Sequence, residues 1–415
     1  MTDQTSTNYA NWNDSELGKM VELSKSQWKP GDKDQRYIGL EHINVGELSI
    51  NGFGISSKLA SNKFCFEKGD ILFGKLRPYF RKVWKAKFDG VCSTDIWVLK
   101  AKKGFDQNFI FYLVANPVFI DKTMGANIGT HMPRADWGFL KNTIWNVPRI
   151  EEQQAIAAVL SSLDDKINLL HKQNITLEAT AQAIFKEWFV NFNFPGSTGK
   201  MVDSEFGEIP EGWRVGKLGE FIDVRGGLSY DGSLISKTGT PMITMGFVSG
   251  EKRYEETGIK YYLGHYNQQY QINAGSLVIA TRDVTQDRKL IGSPAIIPNY
   301  FGNTTIIAAT NLYIVQNINF LPNRFLYWVM RTSEYRERVI GACKGTTIVM
   351  ITKDSVLDYE FVIPKKELVE KFSAINETIF NRLELVDNQI HTLSALRDTL
   401  LPKLMKGEVR VRGFN

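Results

Sequence analysis

The stretch PRIEEQQAIAAVLSSLDDKINLLHKQNITLEATAQAIFKEWF, residues 148 to 189, decides the fold. From Glu151, just after Pro148, apolar residues fall at Ile156, Val159, Leu163, Ile167, Leu170, Leu177, Ala181, Ile184 and Trp188. Spacings built from threes and fours predict one amphipathic helix. A matching stripe runs through Phe372, Ile375, Ile379, Leu383, Val386, Ile390, Leu393, Leu400 and Leu404 and stops near Gly407. Each helix has about forty residues and so a length of roughly 60 Å. A helix that long cannot hide inside a small domain. Two of them, each with one apolar stripe, most simply bury those stripes against each other as an antiparallel coiled coil. Asn174 sits on the first stripe where the second has Ile390. It either fixes register or faces solvent.

Working outward from the helices, the chain proves to be written twice. At an offset of 216 residues STDIWVL (93–99) lies over ATNLYIV (309–315), and the match continues without a gap through Gly125 over Gly341, Pro148 over Pro364 and Leu177 over Leu393. The front of each copy matches at a smaller offset, 201, with WNDSELGKMVEL (12–23) over WRVGKLGEFIDV (213–224). The difference between 216 and 201 places 15 extra residues in the second copy between these anchors. Ahead of each long helix, short alternating runs such as FEKGDILFG and QINAGSLVIA between Gly, Asn and Pro turns predict an α+β domain rich in strands. The stretch NFNFPGSTGKMVDSEFGEIPEGW, residues 191–213, has the composition of a connector.

At 415 residues the chain is too long for one ordinary core. Its hydrophobic fraction of 43% is that of a soluble globular protein. No apolar run reaches the ~18 residues of a membrane helix, and MTDQTSTNYANW lacks signal-peptide character, so the expected location is the cytoplasm with no membrane partner. Cys65, Cys92 and Cys343 form no CxxC pair, which favours buried thiols. The net charge of +5 is mildly basic and compatible with nucleic acid.

The helical stretch at 148–189, followed by GEIPEGW at 207–213 and LRDTLLPKLMKGEV at 396–409, closely resembles the specificity subunit of Type I restriction-modification enzymes. The resemblance spans essentially the whole chain. It implies an α+β fold with two tandem target-recognition domains, separated by two long conserved helices that form an antiparallel coiled coil, in a pseudo-two-fold internal repeat. The expected boundaries are 1–147 and 213–363 for the recognition domains, 148–192 and 364–407 for the helices, 193–212 for the linker and 408–415 for the tail. It further implies double-stranded DNA as ligand and two methyltransferase subunits docked on the helices. Motor-nuclease subunits complete the restriction enzyme. S-adenosylmethionine belongs to the methyltransferase partner, ATP and Mg to the motor, and no cofactor to this chain. Two readers related by a pseudo-two-fold axis would address half-sites about one DNA turn apart, ~34 to 36 Å. The helices would then act as a ruler, and inserting a few residues into both would change the unread spacer.

The residues themselves offer little for catalysis. An adenine methyltransferase needs a Gly-rich cofactor turn and an Asn/Asp-Pro-Pro-aromatic loop around a flipped base. The nearest string, Asn116-Pro117-Val118-Phe119, lacks the second proline, and GFG at 52–54 lacks the flanking strand and helix. There is no GxxxxGK[ST] and no clear nuclease carboxylate cluster. His42, His131, His171, His265 and His391 are too scattered to suggest a metal site. The expectation is a binding protein that is not an enzyme and holds no metal.

For DNA contact, GKLRPYFRKVWKAK (74–87) packs six Lys/Arg and three aromatics with no acid. Read as a strand, it projects Lys75, Arg77, Tyr79 and Arg81 from one face, with Lys82 and Lys85 beyond. Such a face suits phosphate contacts and bidentate recognition of guanine; the plainer reading is a solvated hairpin whose aromatics complete the core. The equivalent region TRDVTQDRK (281–289) offers Arg282, Arg288 and Lys289 together with Asp283 and Asp287, and an Asp can accept from cytosine N4. The paired loops GANIGTHMPR (125–134) and GACKGTTIVM (341–350) add His131, Arg134, Lys344 and Thr346, or else they are simple turns. Trp188, Phe189 and Phe192 close the first helix with more aromatic surface than one partner helix needs. They are candidates for docking a methyltransferase subunit, with completion of the domain's own core as the competing reading.

The function expected is therefore DNA-sequence specificity of a Type I complex that reads a bipartite asymmetric site. A specificity subunit of a Type IIB-like or phage-defence methylation system is the alternative within DNA recognition. A stand-alone architectural DNA binder is the alternative outside it.

Overall fold

The structure, a computed structural model, describes residues 12–125, 132–283, 288–343 and 349–413. Two compact units divide the chain: Met1–Leu169 with Ile390–Asn415, and Leu170–Gln389. The long helices are Ile150–Phe189 and Lys366–Met405, 40 residues each. Each helix is shared between the two units, the first dividing after Leu169 and the second after Gln389.

In the first unit a four-stranded antiparallel sheet runs in the order Val21–Leu23, Ile96–Ala101, Ile71–Gly74, Val83–Lys85. Beside it lies a five-stranded sheet of Gln27–Trp28, Lys63–Phe66, Gly90–Cys92, Arg36–Ile38 and Gly54–Ile55, with one parallel pair between Gly90–Cys92 and Arg36–Ile38. Asn13–Glu16 pairs with Ile144–Val147 and closes the domain in front of the long helix.

The second unit repeats this frame. Its four-stranded order is Ile222–Gly226, Leu312–Asn317, Leu277–Ala280, Pro294–Ile296, and its second sheet keeps the single parallel pair, here between Thr240–Ile243 and Ile306–Ala308. Arg214–Lys217 pairs with Glu360–Ile363 as the closing ladder. The connector is not featureless, for Met201–Ser204 and Gly207–Pro210 form a hairpin whose Ile209 is buried in the second unit's core.

Registers locate the 15 extra residues. Val98 pairs with Leu72, and Ile314 with Val278, so the offset at that strand is 206. One strand further on, Ile71 pairs with Lys85 and Leu277 with Ile296, an offset of 211. Five of the insertions therefore lie in the loop between those strands, which is the loop the sequence singles out for DNA.

The helices are antiparallel where they meet. In the second unit Asn174 and Phe185 of the first helix face Asp387 and Phe372 of the second, so numbers rise on one as they fall on the other. Their stripes do not serve only each other. Ile156 and Leu160 share a buried cluster with Leu401 and Leu404 of the partner helix and with Trp12 and Phe109 of the domain. Phe185 likewise touches Phe372 and the domain's Phe325, at centroid distances of 5.7 and 5.4 Å. Asn174 does not face solvent: its Nδ2 donates to Asp387 Oδ1 at 2.7 Å. Among the described residues no helix is long and apolar enough to cross a membrane. Cys92 is buried, while Cys65 and Cys343 are only partly so.

Candidate nucleic-acid interface

The basic stretch of the first unit is not a strand through Arg81. The apolar run Ile71–Gly74 is buried and belongs to the sheet, but the chain leaves the ladder at Lys75. Lys75 N–H donates to Asp95 O at 2.9 Å, Ala135 N–H to Lys75 O at 2.8 Å, and Arg77 N–H to Pro133 O at 2.8 Å. Leu76 and Arg134 form an isolated antiparallel bridge. Arg77 then takes a left-handed backbone, φ 51°, followed by one tight turn at Pro78–Phe80 and a second left-handed residue, Arg81, φ 48°. Pro78 presets the turn, and two successive reversals bring Val83–Lys85 back onto Ile71–Phe73. Alternation of faces cannot hold through such a loop. The sequence reading failed because it carried strand periodicity past the last ladder bond.

The loop sorts its cations. Lys82 Nζ donates to Leu40 O at 2.5 Å, Lys85 Nζ donates to Asn108 Oδ1, and Arg81 Nη2 reaches Ala115 O at 3.4 Å. Burial depresses the affinity of both lysines for their proton, partly offset by Glu41 for Lys82 and Asp106 for Lys85. These three side chains hold the loop to the domain. Arg134 is 60% exposed and rests 3.4 Å from Asp95. Lys75 and Arg77 flank the bridge to Arg134, and Tyr79 stands at the tip, 47% exposed, its ring 4.7 Å from Phe80.

The second unit builds its loop on the same main-chain bonds. Thr281 N–H donates to Asn311 O at 2.9 Å and Ile351 N–H to Thr281 O at 3.1 Å, while Arg282–Asp283 pairs with Val349–Met350. Asp283 is no acceptor for cytosine. It is fully buried, and its Oδ2 accepts from Leu290 N–H at 2.6 Å and Ile291 N–H at 3.2 Å. Arg336 clamps the far side of the loop through the carbonyls of Arg288 and Lys289, at 3.1 and 2.9 Å. Lys289 Nζ is paired with Glu251 at 2.9 Å, and Arg282 is half-buried. His131, Lys344 and Thr346 lie outside the described residues.

The aromatic trio at the end of the first helix goes inward. Phe189 is buried against Phe325, Phe372 and Trp213 at 4.9, 5.2 and 6.0 Å; Trp188 packs on Phe372 at 6.0 Å and Phe192 on Trp213 at 5.5 Å. Phe189 is part of the second unit's own core, and Trp188 and Phe192, only partly buried, pack against the same cluster. Asn116, the start of the methyltransferase-like string, is buried; its Oδ1 accepts from Val118 N–H at 3.0 Å and caps the helix Pro117–Gly125. Among the described residues no group of His, Cys, Asp or Glu is arranged to hold a metal ion.

What sequence reading missed is that each loop is tied to a partner segment 58 or 68 positions away, Leu76 to Arg134 and Arg282 to Met350. The one available signal was the growing offset, five of whose fifteen added residues fall in this loop.

Two copies of one domain, each carrying a cation-bearing loop on a shared main-chain frame, define a duplicated recognition protein. The family described as Type I restriction modification DNA specificity domain matches twice, over residues 9–179 and 210–400. The chain belongs to that family of specificity subunits and carries its domain in duplicate. Relatives include the MjaIX specificity subunit of Methanocaldococcus jannaschii, 26% identical over 359 residues covering 83% of this chain and 79% of the relative. The MjaVIII specificity subunit of the same organism is 23% identical over 386 residues, 91% of this chain and 87% of the relative. The crystal structure of the Type-I restriction-modification system S subunit from M. genitalium aligns over 97% of each chain with a TM-score of 0.52 at 15% identity, a likeness of fold.

Proposed function

We propose that this chain selects the DNA sequence for a Type I restriction-modification complex, each unit reading one half of a bipartite asymmetric site. The observation that carries the reading is the pair of loops at Lys75–Lys82 and Thr281–Ser293. They hang on equivalent peptide hydrogen bonds yet differ in length and in charged side chains. One frame with two surfaces is what two different half-sites require. Lys75, Arg77, Tyr79 and Arg134 in the first unit, and Arg282 and Arg288 in the second, are the described residues best placed for DNA.

The chain's part is recognition. Methylation and cleavage fall to partner subunits: two methyltransferases carrying S-adenosylmethionine, and a motor nuclease using ATP and Mg. The test is single-molecule methylome sequencing of a methylation-deficient host that expresses this chain with its neighbouring methyltransferase, against the methyltransferase alone. A split motif of two short half-sites that appears only with this chain is the expected result. No new motif, with a competent methyltransferase bound to the chain, overturns the reading in favour of an architectural DNA binder. Co-purification of a motor subunit separates the Type I assignment from a system of methyltransferase alone.

A further inference from the structure

The five-stranded sheet of the first unit ends in an open edge, Gly54–Ile55, next to Arg36–Ile38. Arg36 is exposed, and its guanidinium carbon lies 5.0 Å from the centroid of Phe53 and 4.7 Å from that of Phe88. The two rings meet edge to face at 5.6 Å. Phe88 is anchored below by Trp84 and Phe66, at 5.3 and 6.0 Å, whereas Phe53 is 49% exposed and Ile55, paired with Arg36 across the strands, 53%. Among the described residues the Arg36 side chain has no ion pair and no hydrogen bond.

Two aromatic contacts fix a guanidinium and leave its coplanar N–H donors free. A cation held this way loses little rotamer freedom when it meets an acceptor, and it matches paired acceptors lying in one plane. In duplex DNA that description fits guanine O6 and N7, the commonest specific partner of arginine in the major groove. A phosphate could also take the donors, but a phosphate contact serves any half-site equally and has no reason to differ between copies.

Here the copies differ completely. The parallel pairs Ile38 with Cys92 and Ile243 with Ala308 fix the register of the second unit, so Arg36 falls on Pro241, Ile55 on Tyr261 and, counting back from Val91 and Ile307, Phe88 on Thr304. Instead of an arginine the second unit has an open pocket of ≈ 480 Å³ lined by Pro241, Tyr262, Leu263, Tyr266 and Thr304, among others. The same backbone locus thus carries a planar cation in one copy and an aromatic, hydroxyl-lined hollow in the other.

We propose that Arg36, held by Phe53 and Phe88, reads a guanine in the half-site addressed by the first unit. This rests on the function proposed above. The locus is within one footprint of the basic loop. The strand from Arg36 leads to Leu40, whose carbonyl accepts from Lys82; four extended residues cover about 13 Å at ~3.3 Å each. A single-module DNA interface of roughly 600–1,000 Å² spans that distance.

The test uses the complex with its methyltransferase and compares the methylated motif for wild type, Arg36→Ala, Arg36→Lys and Phe53→Ala. Arg36→Ala is expected to make one guanine of one half-site degenerate, with discrimination there falling roughly tenfold to hundredfold. The other half-site stays intact and shows that the variant is folded. Lysine, lacking the planar fork, restores the charge but not the preference, and Phe53→Ala loosens the same position to a smaller degree. An unchanged motif in Arg36→Ala overturns the proposal, and so does a uniform drop in methylation with no new degeneracy, which marks a phosphate contact. Should Arg36→Ala lose all methylation, a wild-type preference in both Arg36→Lys and Phe53→Ala overturns it as well. Absence of a split motif in wild type is a different failure, that of the function on which the proposal stands.

Discussion

Arg397 on the second long helix and Asp164 on the first are joined by an ion pair of 2.9 Å, and Tyr112 O–H of the recognition domain donates to the other carboxylate oxygen at 2.6 Å. Only 5% and 16% of the two charged side chains is exposed. Burial and the Asp164 charge push the Tyr112 phenol far above its ordinary range, so it remains a donor at any physiological pH. Removing one partner of a buried pair strands the other charge, at a cost of about 3–5 kcal/mol, whereas replacing both with apolar residues is close to neutral. Arg397→Ala should therefore destabilise the first unit by that amount in urea unfolding, and a triple Arg397→Met, Asp164→Leu, Tyr112→Phe variant, which leaves no polar partner of the group stranded, should recover most of it.

A second polar knot, in the other unit, makes stability depend on pH. Asp387 accepts from Arg253, from Tyr254 O–H at 2.8 Å and from Asn174 at 2.7 Å, with Glu178 3.7 Å from the same arginine. Burial raises the Glu178 carboxyl above its ordinary 4.5; Arg253 and Arg331 pull it down, and Asp387 pushes it up again. A folded-state value above the unfolded one means that the folded state binds the proton more tightly. The Glu178 contribution is then full below the unfolded value and is lost as pH rises through the folded one. Glu178→Gln should flatten that decline, and denaturant titrations between pH 4 and 8 will register it; an unaltered profile would count against the raised carboxyl.

For the basic loop, charge reversal at Lys75, Arg77 and Arg134 should weaken DNA binding, and every phosphate that goes without its cation lowers the slope of log K against log salt by about 0.9. Lys82→Ala and Lys85→Ala act differently, because these side chains bond to Leu40 O and Asn108 Oδ1. They should loosen the loop with little change in slope. Fluorescence anisotropy of a labelled duplex across a salt series separates the two patterns.

Phe189→Ala empties the centre of a cluster that includes Phe325, Phe372 and Trp213. The expected loss is about 3–5 kcal/mol, measurable as a lower midpoint of unfolding of the second unit. A variant that folds as stably as wild type yet fails to hold the methyltransferase would establish the docking role that the sequence suggested.

The long helices, the duplication and the strand-rich domains ahead of each helix were legible because they are written in periodicity and self-similarity. Asn174 illustrates where legibility stops. Its place on the stripe was plain, but its partner Asp387 is more than two hundred residues away, and a stripe says nothing about which polar residue a polar exception meets. The basic loop failed for a related reason. Residue types announced a cationic surface, yet the left-handed backbone at Arg77 and Arg81 turns the chain twice, and neither is a glycine that would have betrayed it. Trp188, Phe189 and Phe192 were visible as aromatic excess, but exposure is set by neighbours such as Trp213 and Phe372 that arrive from elsewhere in the chain.

The bonds that seat the two loops, Lys75 to Asp95 and Ala135 in one copy and Thr281 to Asn311 and Ile351 in the other, all run from peptide N–H to peptide C=O. Any residue except proline at a donor position can make them. A lineage can therefore try new residues at the loop positions that point away from the domain without first dismantling the fold. The penalty for a poor trial falls on affinity and target choice rather than on solubility or lifetime. Such tolerance is what a gene needs if it is to change the word it recognises and keep its place in the same assembly.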